Sequence, residues 1–141
     1  MLTRRGFAGC AICAVTGFFA SEAFAQGAPP PPPKGMPGVT FKPIARADGP
    51  IAGYVTIMLE AEVEAGITVG RHTHPGVEAS RVLEGGLEMP IEGQPTRMLK
   101  AGDSYLIPAG TPHAGGKVGP EKTRILTTYV VEKDKPLASP V

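Results

Sequence analysis

The residues able to do chemistry are few and grouped. In His72-Thr73-His74, two imidazoles stand two positions apart. Side chains of a strand alternate between faces, so His72 and His74 share one face while Arg71 and Thr73 take the other. Two imidazoles placed this way can chelate one ion. Glu78 follows four positions after His74, beyond a Pro75-Gly76 turn expected to reverse the chain and bring the carboxylate beside them. His113 comes far along the chain, after Pro108-Ala109-Gly110-Thr111-Pro112. A solitary histidine is ordinarily a core or surface residue. Two nitrogens, a carboxylate and a distant third nitrogen point instead to a metal site built from His72, His74, Glu78 and His113. Three nitrogens and one oxygen suit iron, manganese, nickel, copper or zinc as a divalent ion, and the residues alone do not choose between them.

Such a site needs a rigid frame, and the composition says of which kind. The chain has 141 residues with 19 Gly, 16 Pro and no Trp. That bounds it to one domain, disfavours long helices and favours short strands joined by tight turns. A helical bundle is excluded. Residues 54–60, 67–69, 81–84, 87–91, 96–99, 104–107 and 124–131 read as strands, with Pro90 confining its arm to an edge or a bulge. Several short strands at regular spacing predict an all-β sandwich or barrel. Gly66, Gly85, Gly102 and Gly110 fall at corners where a positive φ is expected, and Pro108 and Pro112 stiffen the loop that delivers His113.

The ends of the chain read differently. Residues 1–25 comprise Arg4-Arg5-Gly6-Phe7, an apolar stretch from Ala8 to Ala20 and Ala23-Phe24-Ala25, the layout of a cleaved signal peptide. The arginine pair resembles a twin-arginine export signal, which predicts a bacterial periplasmic protein. Cys10 and Cys13 lie inside this segment and leave with it, so the mature chain has neither disulfides nor thiolate ligands. Residues 26–38 include Pro29 to Pro33 and read as an exposed, semi-rigid linker. The folded domain is expected over 39–133, with 134–141 as a tail or edge contact. A formal net charge of +1 offers no broad basic field, so nucleic acid is not an expected partner.

At the level of motif the resemblance is specific. Gly66-x5-His72-x-His74-x3-Glu78-x6-Gly85 resembles the first motif of the cupin superfamily in every position. Gly102-x5-Pro108-x-Gly110-x2-His113 is similar to the second, with about sixteen residues between the two. The second motif commonly ends on Asn four residues beyond the histidine, where this chain has Lys117; the departure concerns the loop and not a ligand. The resemblance implies a double-stranded β-helix, or jelly-roll, barrel of the small single-domain, type-2-like kind, with one transition metal held inside by His72, His74, Glu78 and His113. Four protein ligands on an ion that prefers six leave room for water, dioxygen or a chelating molecule.

Three readings follow. The chain is a metal-dependent enzyme, foremost an oxygenase acting on a small chelating molecule such as an enol, diketone or catechol, with Glu78 able to accept a proton and with isomerase or lyase chemistry as variants. Alternatively it is a non-catalytic module binding a small molecule or the metal, or a structural barrel that the metal stabilises. Export of folded cargo would load the metal before the periplasm, which favours iron or manganese over the copper and zinc that dominate by affinity. Inward-facing candidates by alternation are Ser80, Val82, Met58 and either Thr127 with Tyr129 or Thr128 with Val130. Arg71 and Arg81 should face outward, and Glu60, Glu62 and Glu64 form an acidic, solvated row. A small barrel has exposed sheet edges, which predicts a homodimer paired edge to edge.

Overall fold

Strand alternation dictates the main sheet. The computed structural model describes residues 36–141. The expected signal over 1–25, with Cys10 and Cys13, and linker residues 26–35 lie outside the described residues. Among the described residues every regular element is a strand, in the order β1 (Val39–Asp48), β2 (Tyr54–Val63), β3 (His72–Thr73), β4 (Gly76–Glu84), β5 (Gly86–Met89), β6 (Arg97–Lys100), β7 (Ser104–Ile107), β8 (Thr123–Glu132) and β9 (Ser139–Pro140). On β2, Val55, Ile57, Leu59, Ala61 and Val63 are buried; on β8, Thr123, Ile125, Thr127, Tyr129 and Val131 are. These alternating residues form the inner face of a five-stranded antiparallel sheet ordered β1-β2-β8-β4-β7.

The second sheet faces it. Strand β3 pairs with β9, and β5 pairs with β6. Bridges Thr68↔Lys117 and His72↔His113 on one side, and Leu87↔Val118 and Ile91↔His113 on the other, insert residues 113–118 between the two pairs. The result is a second layer ordered β9, β3, 113–118, β5, β6. Its apolar side chains Leu87, Met89, Ile91, Leu99 and Val118 pack with Val82, Ile107 and Ile125 of the first sheet. A second cluster of Val55, Ile57, Leu59, Ala61, Tyr129 and Val131 fills the other end. Each such large side chain, fully buried, contributes about 1.5–3 kcal/mol. This is the double-layered all-β jelly roll that the sequence resemblance implies.

Two local expectations change. Met58 lies on the outer face of β2, on the same parity as Glu60 and Glu62. Apolar residues occupy both parities at 57–59, so alternation alone does not orient the strand; the carboxylates do, because they take the solvent face, where Glu60 meets Arg124 at 2.9 Å and Glu62 meets Lys122 at 3.0 Å. Likewise Pro75-Gly76 does not reverse the chain. The bend there carries the chain from the second sheet, where His72 bridges His113, into the first, where Gly76 opens β4. Gly66, Gly85, Gly102 and Gly110 do have positive φ, between 69° and 94°.

Gly76 is required by close approach. A Cβ there would stand 2.0 Å from the Val130 carbonyl oxygen and 2.7 Å from Val131 Cα, both backbone atoms of β8. Gly76→Ala is therefore expected to push β4 off β8 and lower stability by about 1–3 kcal/mol. At Gly70 a Cβ meets nothing within 4 Å, and Gly70→Ala stays within about 0.5 kcal/mol of the parent. Urea unfolding of the two variants checks the contrast.

Candidate metal centre

The inner face of β4 carries the site. Glu78, Ser80 and Val82 point inward, and antiparallel register sets Glu78 opposite Tyr129, Ser80 opposite Thr127 on β8 and Ser80 opposite Tyr105 on β7. A belt of polar side chains thus crosses the barrel between the two apolar clusters. Of the two alternatives left open on β8, the inward pair is Thr127 with Tyr129. From the facing sheet come the histidines. His72 and His113 are held by reciprocal backbone hydrogen bonds, each N–H donating to the other's carbonyl at 2.9 and 3.0 Å. His74 follows β3 and is buried, as is His113, while His72 is half-buried.

The three rings converge. Their ligand nitrogens lie within 4.8 Å of one another, and the ring centroids are 4.4–5.0 Å apart. Glu78 joins them, its Oε2 standing 3.0 Å from His74 Nε2 and 3.3 Å from His113 Nε2. All four residues singled out in the sequence therefore meet at one place, and Arg71 and Arg81 face outward, Arg71 against Glu92.

The hydrogen bonds of the rings fix which nitrogen is free. His72 Nδ1 faces the Gly70 carbonyl at 2.8 Å, His113 Nδ1 the Thr111 carbonyl at 2.9 Å, and His74 Nδ1 the Leu137 carbonyl at 2.5 Å. A carbonyl only accepts, so each Nδ1 carries the hydrogen and each Nε2 of a neutral ring offers a lone pair. The Nε2 atoms of His74 and His113 are buried without a hydrogen-bond partner, although a carboxylate oxygen lies beside both. Buried orphan acceptors turned on an anion are costly unless a cation joins them. Imidazole nitrogens held by carbonyls on their far side are how proteins present histidine to a metal, and the donor set fits one transition ion.

Protonation follows the same geometry. Burial disfavours the Glu78 carboxylate, but the rings of His113 and His74, when protonated at Nε2, together with the Ser80 hydroxyl outweigh it and hold its pKa well below the usual carboxylate range. Ser80 donates to Glu78 Oε1 at 2.7 Å, and Thr127, 2.9 Å from Ser80 Oγ, supplies the hydroxyl hydrogen that Ser80 then accepts. Burial also opposes charge on His113, yet Glu78 and the Thr111 carbonyl raise its pKa; burial is the main cause that lowers the pKa of His72. Tyr105 and Tyr129 are pushed well above their ordinary value, by burial first and by the nearby Glu78 charge second.

Two contributors were not singled out in the sequence. Tyr105 lies two positions before the buried Ile107 on β7, so alternation could have placed it inside. Leu137, in the segment read as a tail, has no such signal, because it acts through its backbone.

The chain matches the family model described as the cupin domain over residues 59–129. That is half of the sequence, and the chain belongs to the cupin superfamily. A comparison with curated proteins finds no match. Among solved structures, the DMSP lyase DddQ from Ruegeria pomeroyi DSS-3 is similar at 27% identity and a TM-score of 0.54, over 57% of this chain and 41% of that one. The shared part is thus less than half of the lyase's own length. KdgF from Halomonas sp. is similar in fold at 23% identity and a TM-score of 0.55, covering 70% of this chain and 84% of that one. An RmlC-like cupin from Shewanella frigidimarina NCIMB 400 is similar in fold at 20% identity and a TM-score of 0.58, covering 81% and 95%.

The two shifted histidines are expected to give opposite slopes of stability on either side of pH 6.5. His72, with its lowered pKa, makes the metal-free fold gain stability as pH rises toward the ordinary histidine value of 6.5. His113, with its raised pKa, contributes stability that is complete below 6.5 and is lost as pH climbs through the raised value. The metal-free protein is expected to be most stable near pH 6.5, and Glu78→Gln to flatten the alkaline fall, since Glu78 is the main group holding the His113 proton. Thermal unfolding from pH 5 to about 9 in the presence of a chelator measures it.

Proposed function

We propose that this cupin is a mononuclear metal-dependent enzyme, foremost an oxygenase, acting on a small oxygen-bearing molecule that chelates the ion. The observation that carries the reading is the pair of buried, unpartnered Nε2 atoms of His74 and His113 turned toward the Glu78 carboxylate and joined by His72. His72, His74, His113 and Glu78 would hold the ion, which supplies Lewis acidity and, for a redox-active metal, a path for electrons to dioxygen. The chain's own residues do the rest. Glu78 Oε1 rests on Ser80 while Oε2 faces the histidines, so the carboxylate is placed to accept a substrate proton. Tyr129, whose ring lies 4.8 Å from that of His74, and Tyr105 wall the site and keep bulk water from the carboxylate.

A lyase reading has its own support: two buried tyrosines that stay protonated beside Glu78, and similarity to a DMSP lyase. Oxygen uptake separates the two. Metal-reconstituted protein offered a panel of diketones and catechols should consume oxygen with at least one member, and Glu78→Gln should slow it about 100-fold or more. Turnover without oxygen uptake would move the assignment to a lyase or isomerase. Tight binding without turnover would make the chain a binding module.

We further propose that the protein is exported to the periplasm, is loaded with iron or manganese beforehand, and pairs as a homodimer. Support for pairing is the two open edges of the first sheet, where Leu106 on β7 is 59% exposed at one edge and Ile44 on β1 47% at the other. Protein recovered from the periplasm checks the three together. The expected result is a dimer by sedimentation carrying one iron or manganese per chain; a concentration-independent monomer rejects pairing, and stoichiometric zinc or copper rejects early loading.

A further inference from the structure

His72 and His113 receive their Nδ1 acceptors from their own neighbourhood, each from the carbonyl two residues earlier. His74 does not. Its acceptor is the carbonyl of Leu137, 63 residues away, in the last few residues of the chain. After β8 ends at Glu132, the Lys133 N–H donates to the Gly53 carbonyl at 2.9 Å. Half-buried Leu137 then packs on the cluster of Val55, Ile57, Leu59, Ala61, Tyr129 and Val131 on the first sheet. Beyond it, Ser139 pairs with Thr73, Pro140 pairs with His72, and the Val141 N–H donates to the Arg71 carbonyl at 3.3 Å. The segment therefore crosses from one sheet to the other and runs the length of residues 71–74. Pro140 suits this place, because an edge strand can leave one side without a donor.

We propose that the C-terminal segment Leu137–Val141 is a positioning element of the metal centre, setting the ring of His74 and through it the affinity for the ion. The proposal rests on the metal-binding reading above. With the Leu137 carbonyl in place, the His74 hydrogen stays on Nδ1 and the Nε2 lone pair faces the other ligands. Without it, a buried Nδ1–H has no partner, and the ring escapes that cost by moving its hydrogen to Nε2, beside Glu78 Oε2. In that tautomer the nitrogen aimed at the ion no longer has a free lone pair. Loss of an outer partner of a ligating histidine typically weakens metal binding by about 10–100-fold. The segment thereby ties the metal centre to an edge strand, and of the three histidines only His74 takes its Nδ1 acceptor from it.

Two measurements test this. In the metal-free full chain, nitrogen NMR of the histidine rings should show His74 protonated at Nδ1 with slow solvent exchange; a hydrogen on Nε2 overturns the proposal. Zn(II) affinity by chelator competition should then fall about 10–100-fold in a chain ended after Pro136 whose circular dichroism matches the parent. A synthetic peptide of residues 136–141 added to that chain should restore it. Equal Zn(II) affinity in the folded, shortened chain overturns the proposal, and if the shortened chain loses its sheet signal, the ring tautomer in the full chain decides alone. Failure of the full chain itself to bind Zn(II) would be a failure of the metal reading, seen separately from both.

Discussion

Three imidazole lone pairs and a carboxylate oxygen are turned toward one small volume inside this barrel, and like partial charges at that range repel unless a cation lies among them. Much of the surrounding structure serves to hold that arrangement. Backbone carbonyls of Gly70, Thr111 and Leu137 fix the three tautomers from behind. Ser80, itself supported by Thr127, holds the far oxygen of Glu78. In the absence of a metal a proton is the available cation, and the shifts, upward for His113 and downward for Glu78, favour the His113 ring as its place. The site is thus poised to exchange a proton for a metal ion.

The fold supplies the stiffness this needs. Glu78 lies on β4, flanked on both sides by β7 and β8, so its Cα is fixed by two ladders. The histidines come from the opposite layer, where His72 and His113 are locked to each other by paired backbone hydrogen bonds. The bend at Pro75-Gly76 passes the chain between layers within four residues of His74, and the absent Cβ of Gly76 lets β4 lie close on β8. Apolar clusters on either side of the polar belt keep the two layers in register. A displacement of either layer would spread the donors, so packing far from the site would bear on its affinity for an ion.

Most of this was legible in the sequence, and the exceptions have physical reasons. Candidate ligands are read from side-chain type and spacing, and His72, His74, Glu78 and His113 do meet. Corner glycines are read from what only glycine tolerates, and Gly66, Gly85, Gly102 and Gly110 have the positive φ expected. Met58 was misplaced because apolar residues at 57, 58 and 59 make alternation ambiguous, although the acidic row on its parity held the answer. Pro75-Gly76 reads as a reversal in sequence because the same dipeptide serves turns and inter-sheet bends alike. Leu137 was invisible, since its contribution is a carbonyl, which every residue has, placed by a contact 63 positions away in sequence.

The class of protein follows from the fold and family match; the proposed chemistry rests on the buried, unpartnered nitrogens turned toward Glu78. Calorimetric titration of the metal-free protein with Mn(II) or Zn(II), in buffers of differing ionisation enthalpy at about pH 6, below the ordinary histidine value, tests the central claim most directly. Ligand nitrogens must be free of protons to bind a metal, so binding should saturate at about one ion per chain with release of about one proton. Saturation at that ratio without proton release would contradict the shared proton of His113 and Glu78, and an absence of binding heat at every ion concentration would contradict the metal centre itself.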